Sequence, residues 1–338
     1  GWRYQEFRDR TYTYAAAIKA AEPAAQIFGP VVNGWTYYWY GAYDGQREDW
    51  STPDDRMANG NIPFVPWYLQ QMAAYEAEHG VRLLDYLTVH FYPQAAGVAL
   101  SEAGNAQQQA LRLRSTRALW DPTYVDESWI AEAGPDSGIV RLIPRLHEWA
   151  AQNYPGTKVA VTEYNWGGLE HINGALAQAD VLGIFGREGL DLATLWSPPN
   201  GDQPGAFAFR MYRNYDGAGR KFGETRVRTV SADQSKVAAY GALRADDGAL
   251  TLMLVNKSAA PVTTTVTLAN FPAAGTAQVY QYGPQHLDAI QHLDDATVSN
   301  GKLDAVMAAN TITLLIVAPD EVAPPPGRRV YLPTVAAE

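Results

Sequence analysis

Four strand-like runs alternate with helical segments over the first two thirds of the chain, and this alternation limits the fold more than any other feature. The runs are short, apolar and rich in β-branched or aromatic residues, as expected for strands buried on both faces. They are Gln26–Val32, Leu84–Tyr92, Thr157–Glu163 and Leu190–Trp196. Apolar residues at helical spacing precede three of the runs, over Gln5–Glu22, Gly138–Asn153 and Gly174–Glu188, with Gly189 as a C-terminal stop. The pattern predicts an α/β fold with a parallel sheet.

The pattern changes after residue 232. Short strands separated by Gly, Pro, Asn and Asp are predicted at Ala249–Asn256, Val262–Leu268, Ala277–Tyr282 and Thr311–Val317. With no long helix between them, they favour a small antiparallel β-sandwich. The Pro-rich tail is interpreted as an extended linker or a processing remnant. We therefore predict three parts, at residues 1–232, 233–319 and 320–338.

The number of strands raises a difficulty for the first part. A closed (β/α)8 barrel needs eight parallel strands, and only four are visible. A small doubly wound sheet is the alternative, but the chain has no Gly-x-Gly-x-x-Gly turn for a dinucleotide. A half barrel would leave two sheet edges unpaired, which favours aggregation. We therefore expect an N-terminal segment upstream of Gly1 to supply the remaining strands.

Composition and missing motifs exclude several functional classes. The net charge of −10 argues against nucleic acid or an anionic membrane as a partner. The chain has no cysteine, which excludes disulfides and thiolate chemistry. Its longest apolar stretch, Ile312–Ala318, is too short to span a bilayer. Motifs for serine esterases, zinc metalloproteases and P-loop nucleotide binding are also missing.

Tryptophan is concentrated in the segments that follow the predicted strands. Seven of the ten tryptophans lie there: Trp35, Trp39, Trp50, Trp120, Trp129, Trp166 and Trp196. In parallel α/β folds these segments form the ligand-binding face. Indole rings stack on the apolar faces of sugars, so the set favours a carbohydrate-binding groove. The alternative is that these rings fill core gaps between loops.

Glu163 is the strongest candidate for a catalytic group. It is a carboxylate at the end of a buried strand, where a charge is costly unless it is paired or used. His90 and Tyr92 end the neighbouring strand, lie on one side of it by alternation, and are expected beside Glu163. Glu163 would then be a nucleophile or a general base. The alternatives are a structural salt bridge to a loop arginine for Glu163 and a hydrogen-bonded core position for His90.

Three further segments have weaker signals. Pro93–Pro135 shows little helical or strand pattern, and its aromatic part, Trp120–Trp129, is interpreted as one wall of a substrate groove. The His-Leu-Asp sequences at His286 and His292 are interpreted as a solvated loop. Asn214–Glu224 is acidic and rich in turn residues but lacks the ligand order of an EF-hand, so structural calcium stays open and no cofactor is predicted.

Several long motifs occur in one consistent order from about residue 5 to about residue 318. They are IFGPVVNGW at Ile27–Trp35, LLDYLTVHFYPQ at Leu83–Gln94, LWDPTYVDESWI at Leu119–Ile130, YPGTKVAVTEYNWGG at Tyr154–Gly168, AQADVLGIFGREGLDLATLW at Ala177–Trp196 and NYDGAGRKFGET at Asn214–Thr225. In these motifs the chain resembles glycoside hydrolase family 44, retaining endoglucanases acting on cellulose-type β-1,4-glucans and xyloglucan.

The resemblance implies a fold and a set of roles. The fold would be the C-terminal half of a (β/α)8 barrel, strands five to eight, with a β-sandwich beside it. Glu163 would be the nucleophile, and His90 and Tyr92 would hold the sugar and the nucleophile. Sugar contacts fall on Asn33, Trp35 and Trp196, and a glucan-binding role for Trp166 is predicted with them.

The resemblance is incomplete at one essential point. The family's acid/base glutamate belongs to an Asn-Glu-Pro motif at the fourth strand, and this chain has no such motif. Retaining hydrolysis requires two carboxyl groups. The expected function is thus an endo-β-1,4-glucanase whose acid/base residue lies upstream, secreted because its polymer cannot enter a cell. A non-catalytic β-glucan-binding protein and a scaffold that binds no saccharide are the alternatives, and preference among cellulose, xyloglucan and mannan stays open.

Overall fold

A parallel sheet of four strands forms the first part of the fold. The computed structural model describes residues 1–45, 52–133, 135–273, 275–320 and 332–337. The strands are β1 (Phe28–Asn33), β2 (Tyr86–Phe91), β3 (Lys158–Tyr164) and β4 (Leu192–Leu195). They lie in the order β1-β2-β3-β4 and all pair in parallel, so β1 and β4 are the outer strands. The four predicted strands are confirmed, each within a few residues.

Nine α-helices occur in the described part of the chain. They are α1 (Tyr4–Ala21), α2 (Trp35–Gly45), α3 (Asp54–Ala58), α4 (Phe64–His79), α5 (Ala106–Ser115), α6 (Ile130–Ala133), α7 (Leu142–Asn153), α8 (Ile172–Glu188) and α9 (Pro204–Arg213). Gly189 follows α8 with a φ of 72°, the left-handed geometry expected of the predicted stop. Helix α7 begins four residues later than predicted, because Gly138 and Arg141 have positive φ. None of these helices is both long and apolar enough to cross a membrane.

The segment Pro93–Pro135 is more regular than predicted. It contains α5, a 3-10 helix at Thr116–Leu119 and α6. The side chain of Asn105 caps α5 by accepting a hydrogen bond from the backbone N–H of Gln108 at 3.0 Å. The sequence of α5 places only two leucines among glutamines and arginines, which is why the apolar periodicity did not reveal it.

Two β-sheets form the rest of the fold. The six-stranded sheet is antiparallel, and the four-stranded sheet is antiparallel except where β14 and β6 pair in parallel. Their orders are β11-β10-β13-β8-β7-β5 and β12-β9-β14-β6. The strands are β5 (Thr225–Val227), β6 (Val230–Ser231), β7 (Val237–Leu243), β8 (Leu250–Asn256), β9 (Val262–Ala269), β10 (Gly275–Gly283), β11 (His286–Val298), β12 (Lys302–Met307), β13 (Thr311–Val317) and β14 (Leu332–Ala337). One hydrophobic core contains buried side chains from both sheets, including Leu254 and Val266.

Two sequence interpretations of this region were wrong. His286 and His292 lie on β11 rather than in a loop, and most of this strand's side chains are at least partly exposed, so it lacks the alternation by which a half-buried strand is recognised. The tail was expected to be a linker, but Leu332–Ala337 is a strand paired with β9.

The compact units of the chain also differ from the predicted division at residue 232. One unit comprises residues 1–95, 117–165 and 188–197, and the other comprises 96–116, 166–187 and 198–338. Within the second unit, the hydroxyl of Tyr240 donates to Asp180 of α8 at 2.6 Å, and Lys257 forms a buried ion pair with the same carboxylate at 2.7 Å. These contacts explain why most of α8 groups with the antiparallel sheets.

Candidate active site

The carboxyl ends of the first three parallel strands bring three predicted site residues into one row. Asn33 of β1 pairs with His90 of β2, and His90 pairs with Glu163 of β3. Residues paired across neighbouring strands project from the same face of a sheet. The row lies at the end of the strands where parallel α/β folds bind their ligands.

Two inserted residues create this row. Val31 is an extra residue in β1, and Thr162 is an extra residue in β3, as the register shifts against β2 show. Without the insertion in β3, Thr162 would pair with His90, and Glu163 would project from the opposite face. The bulge therefore turns Glu163 toward His90, as bulges near active sites commonly do. Val31 has a φ of 56°, a strained conformation for a β-branched residue.

One carboxylate oxygen of Glu163 has two neighbouring donors. The hydroxyl of Tyr92 donates a hydrogen bond to Oε2 at 2.9 Å, and Nδ1 of His90 lies 3.2 Å from the same oxygen. Among the described residues, Oε1 of Glu163 has no hydrogen bond or ion pair. The carboxylate is thus fixed through one oxygen, while the other has no hydrogen-bond or ion-pair partner in the described part of the chain.

Burial determines the protonation of both neighbours. It lowers the pKa of His90, against the opposing influence of the Glu163 carboxylate, so the imidazole is mostly neutral at pH 7. A neutral imidazole still donates to Glu163 when Nδ1 carries its proton. Burial also raises the pKa of Tyr92, and so does the hydrogen bond to Glu163, which keeps the phenol protonated as a donor.

A second layer of contacts supports this group. The hydroxyl of Tyr38, fully buried on α2, donates to the backbone carbonyl of His90. Gln94 was not predicted from the sequence; its Nε2 donates to the carbonyl of Tyr92 at 2.8 Å, and its Oε1 accepts from Nε1 of Trp129 at 3.2 Å. These bonds connect the contacts of Glu163 with the segment predicted to form a groove wall, where Trp129 is 39% exposed.

Trp196 extends the predicted site beyond β4. Trp196 is 57% exposed, so its indole is accessible to a ligand. Its backbone is held twice, since its N–H donates to Tyr164 at 3.0 Å and its carbonyl accepts from the side chain of Asn165 at 2.7 Å.

Comparison with known proteins shows what the chain is similar to. The model of glycoside hydrolase family 44 matches residues 1–95. Endoglucanase A of Paenibacillus lautus is 37% identical over 248 residues, which are 72% of this chain and 34% of that protein. CelM2, a bifunctional glucanase-xylanase from a metagenome library, is 42% identical with a TM-score of 0.89, over 95% of this chain and 60% of that one. The chain is thus similar to members of glycoside hydrolase family 44.

A solved structure of family 44 shows the same likeness. The xyloglucanase of Paenibacillus polymyxa, solved with xyloglucan, is 30% identical with a TM-score of 0.84, over 94% of this chain and 62% of that one. The present chain thus has the mixed α/β fold of family 44 structures, including their antiparallel sheets. It spans about a third of the first curated relative and about three fifths of these solved chains.

Two of the predicted sugar-binding tryptophans are buried. Trp35 is 1% exposed and packs against Trp39 and the buried guanidinium of Arg145. Trp166 is fully buried, and its Nε1 donates to Oγ of Ser115 at 3.1 Å. Neither ring has a face available for stacking on a sugar, so we assign both to the core. The sequence signal failed here because core and groove use the same indole side chain.

The other predicted residues are distributed as follows. Asn33 is exposed at the end of β1 and, with Trp196, keeps the surface that a sugar contact needs. Trp39 is buried on α2, although it was expected in a binding loop. Trp50 lies outside the described residues.

Arg112 is a buried residue that sequence reasoning missed. Its guanidinium has no carboxylate partner among the described residues, and burial lowers its pKa. It donates instead to the carbonyl groups of Gly97, Val98, Glu102, Ala103 and Trp166 and to the side chain of Asn173. Because backbone carbonyls have no sequence signature, only coordinates reveal this role.

In the acidic loop at Asn214–Glu224, the carboxylate of Asp216 accepts hydrogen bonds from the backbone of the same loop. Oδ1 of Asp216 accepts the backbone N–H groups of Ala218 at 2.9 Å and Arg220 at 3.1 Å. In the described part of the chain, no cluster of three or more His, Asp or Glu side chains has the arrangement of a metal site.

Proposed function

We propose that this chain carries the nucleophile-bearing part of a retaining endo-β-1,4-glucanase that acts on cellulose-type glucan or xyloglucan. The observation that carries the proposal is the way in which the carboxylate of Glu163 is held. One of its oxygens is fixed by Tyr92 and His90, and the other accepts no hydrogen bond and forms no ion pair among the described residues. A nucleophile needs such a fixed orientation together with one unblocked oxygen.

In the proposed reaction, Oε1 of Glu163 attacks the anomeric carbon of the bound glucan. The carbon–oxygen bond to the leaving sugar breaks as the new ester bond forms. Tyr92 and His90 remain on Oε2 and keep the carboxylate directed at the reacting carbon. Water then cleaves the ester, and Glu163 leaves again as a carboxylate.

A second carboxyl group must protonate the leaving oxygen and later activate water. Retaining enzymes place it about 5–5.5 Å from the nucleophile. Glu163 is the only carboxylate among the described residues that influences the pKa of His90 or Tyr92. Since the chain spans only about three fifths of its solved relatives, we propose that the acid/base glutamate belongs to a preceding segment of the same protein.

The proposed architecture follows from the same reasoning. The four parallel strands would be strands five to eight of a (β/α)8 barrel, with the antiparallel sheets as a β-sandwich domain. A preceding segment would pair with the outer edges of β1 and β4, which have no neighbouring strand among the described residues. The active site would then lie at the carboxyl ends of the strands, where the row of Asn33, His90 and Glu163 stands.

The proposed substrate class rests on the exposed indoles and on the relatives. Trp196 and Trp129 offer rings for stacking on glucose units. The relatives are named as an endoglucanase, a glucanase-xylanase and a xyloglucanase. We propose a secreted enzyme that needs no cofactor, because the reaction uses only carboxyl groups and water.

The test traps the nucleophile without needing the acid/base group. The full chain is incubated with 2,4-dinitrophenyl 2-deoxy-2-fluoro-β-cellobioside, whose leaving group departs unprotonated. Intact mass spectrometry should show one added fluoro-cellobiosyl group, and peptide mapping should place it on Glu163. Glu163→Gln should abolish labelling, whereas Glu170→Gln, at an exposed glutamate seven residues along, should label like the wild type.

A parallel measurement separates the proposal from its alternative. Tryptophan fluorescence is titrated with cellohexaose and with xyloglucan oligosaccharides. Saturable binding with no labelling would contradict the hydrolase and favour a glucan-binding protein. Extending the chain by its native upstream sequence should give hydrolysis of xyloglucan or carboxymethylcellulose that Glu163→Gln removes.

A further inference from the structure

The bulge that turns Glu163 is held from the neighbouring strand. The hydroxyl of Thr194, on β4, donates to the backbone carbonyl of Thr162, the inserted residue of β3. Among the described residues the buried side-chain hydroxyl of Thr162 has no hydrogen-bond partner, and the backbone carbonyl of Thr162 is the group that bonds to β4.

The ladder between β3 and β4 is interrupted at the same place. Val161 pairs with Ala193, and the next pair joins Tyr164 with Leu195. Thr162 and Glu163 therefore lie opposite Thr194 without a regular pair. A side chain from β4 substitutes for the backbone pairing that the bulge disrupts.

We infer that Thr194 is a positioning residue for Glu163, acting through the carbonyl of Thr162. It stabilises the bulged register, and only that register places Glu163 beside His90. If the bulge relaxed into a regular strand, Glu163 would project from the other face and lose both Tyr92 and His90. The catalytic part of this inference rests on the proposed function, whereas the geometric part does not.

Thr194→Val removes the hydroxyl and keeps the shape and β-branching of the side chain, and Thr194→Ser restores the hydroxyl. Thr194 is exposed, so neither change creates a cavity in the core. Thr265→Val is the matched control, because Thr265 also lies on a strand and donates its hydroxyl, to Asp304 at 2.7 Å.

The first readout is the titration of His90, followed by NMR of the imidazole carbon in the full chain. The Glu163 carboxylate raises the pKa of His90, against the larger effect of burial. Glu163→Gln should therefore lower that pKa, and Thr194→Val should shift it in the same direction. Thr194→Ser and Thr265→Val should titrate like the wild type.

The second readout is the rate at which the activated fluoro-cellobioside labels Glu163. Displacement of a reacting group by about 1 Å costs up to roughly 10²-fold in rate, so Thr194→Val should label ten- to a hundred-fold more slowly. Thr194→Ser should recover most of that rate.

The outcomes distinguish this inference from the proposed function. If Thr194→Val titrates like the wild type while Glu163→Gln shifts His90, Thr194 does not position Glu163. Equal behaviour of Thr194→Ser and Thr194→Val would overturn the role of the hydroxyl. If the wild type is never labelled but the titrations follow the expectation, the positioning role stands and the hydrolase proposal fails.

Discussion

The hydroxyl of Tyr92 lies 2.9 Å from Oε2 of Glu163, although the two residues are 71 positions apart in the chain. This contact joins the segment after β2 to the end of β3. Nδ1 of His90 lies near the same oxygen. Within the described part of the chain, no second carboxylate shifts the pKa of His90 or of Tyr92. The arrangement orients a single carboxylate, and the proposed mechanism needs a second one from outside the described residues.

Tyr92→Phe should slow labelling of Glu163 by the activated fluoro-cellobioside about ten-fold or more. The change removes one charge-assisted hydrogen bond and keeps the ring, and such bonds contribute about 1.5–3 kcal/mol. The rate is measured by intact mass spectrometry over time. An unchanged rate would show that the phenol does not orient the nucleophile, and Tyr14→Phe, at an exposed tyrosine, serves as the control.

The pH dependence of stability should carry the signature of His90. Its pKa is lowered in the folded state, mainly by burial, so folding favours the neutral imidazole. This contribution to the free energy of unfolding is complete above the unfolded pKa of about 6.5 and is lost as the pH falls through the lower folded pKa. Urea unfolding between pH 7.5 and pH 5 should show a smaller loss of stability for His90→Gln. If the wild type and His90→Gln lost the same stability over this pH range, the lowered pKa of His90 would be contradicted.

The tryptophans should divide into a binding class and a core class. Trp196→Ala should weaken binding of cellohexaose by about ten-fold, the loss expected for one aromatic contact, with little change in thermal stability. Trp166→Ala should instead destabilise the protein by about 3–5 kcal/mol, because it empties a fully buried site. Fluorescence titration and thermal unfolding measure the two effects, and strong destabilisation by Trp196→Ala would oppose this division.

Two glycines of α8 should respond oppositely to alanine. A Cβ at Gly183 would lie 2.1 Å from the ring of Tyr240, so Gly183→Ala should destabilise the protein by about 1–3 kcal/mol. A Cβ at Gly186 meets nothing within 4 Å, so Gly186→Ala should stabilise the helix by about 0.5–1 kcal/mol. Denaturant unfolding compares them, and equal effects would show that Tyr240 does not pack closely on α8.

Hydrophobic periodicity predicted the elements that bury one face or both. It located β1 to β4 and four of the ten described strands of the other two sheets, β8, β9, β10 and β13, and it placed His90, Tyr92 and Glu163 together. It missed Thr162 and Val31 as insertions, because a β-branched residue in a bulge looks like any other strand residue. It missed β11 because most of that strand is exposed and its burial does not alternate.

Polar contacts to the backbone were also beyond sequence reasoning. Gln94 and Arg112 act through carbonyl oxygens, and every residue has one of those. Their partners become visible only when the chain path is known. Trp35 and Trp166 show a different limit. Both follow predicted strands, as residues of a binding face should, yet both side chains are buried in the core.

The outer position of β1 and β4 has a practical consequence for handling the protein. Among the described strands neither has a neighbour on its far side, so each offers a row of backbone donors and acceptors to any extended peptide. Purified samples should therefore form dimers or larger assemblies as the concentration rises. Self-association should be measured by light scattering across a dilution series before any binding experiment. A lysine introduced at an outward-facing position of β4 should reduce it.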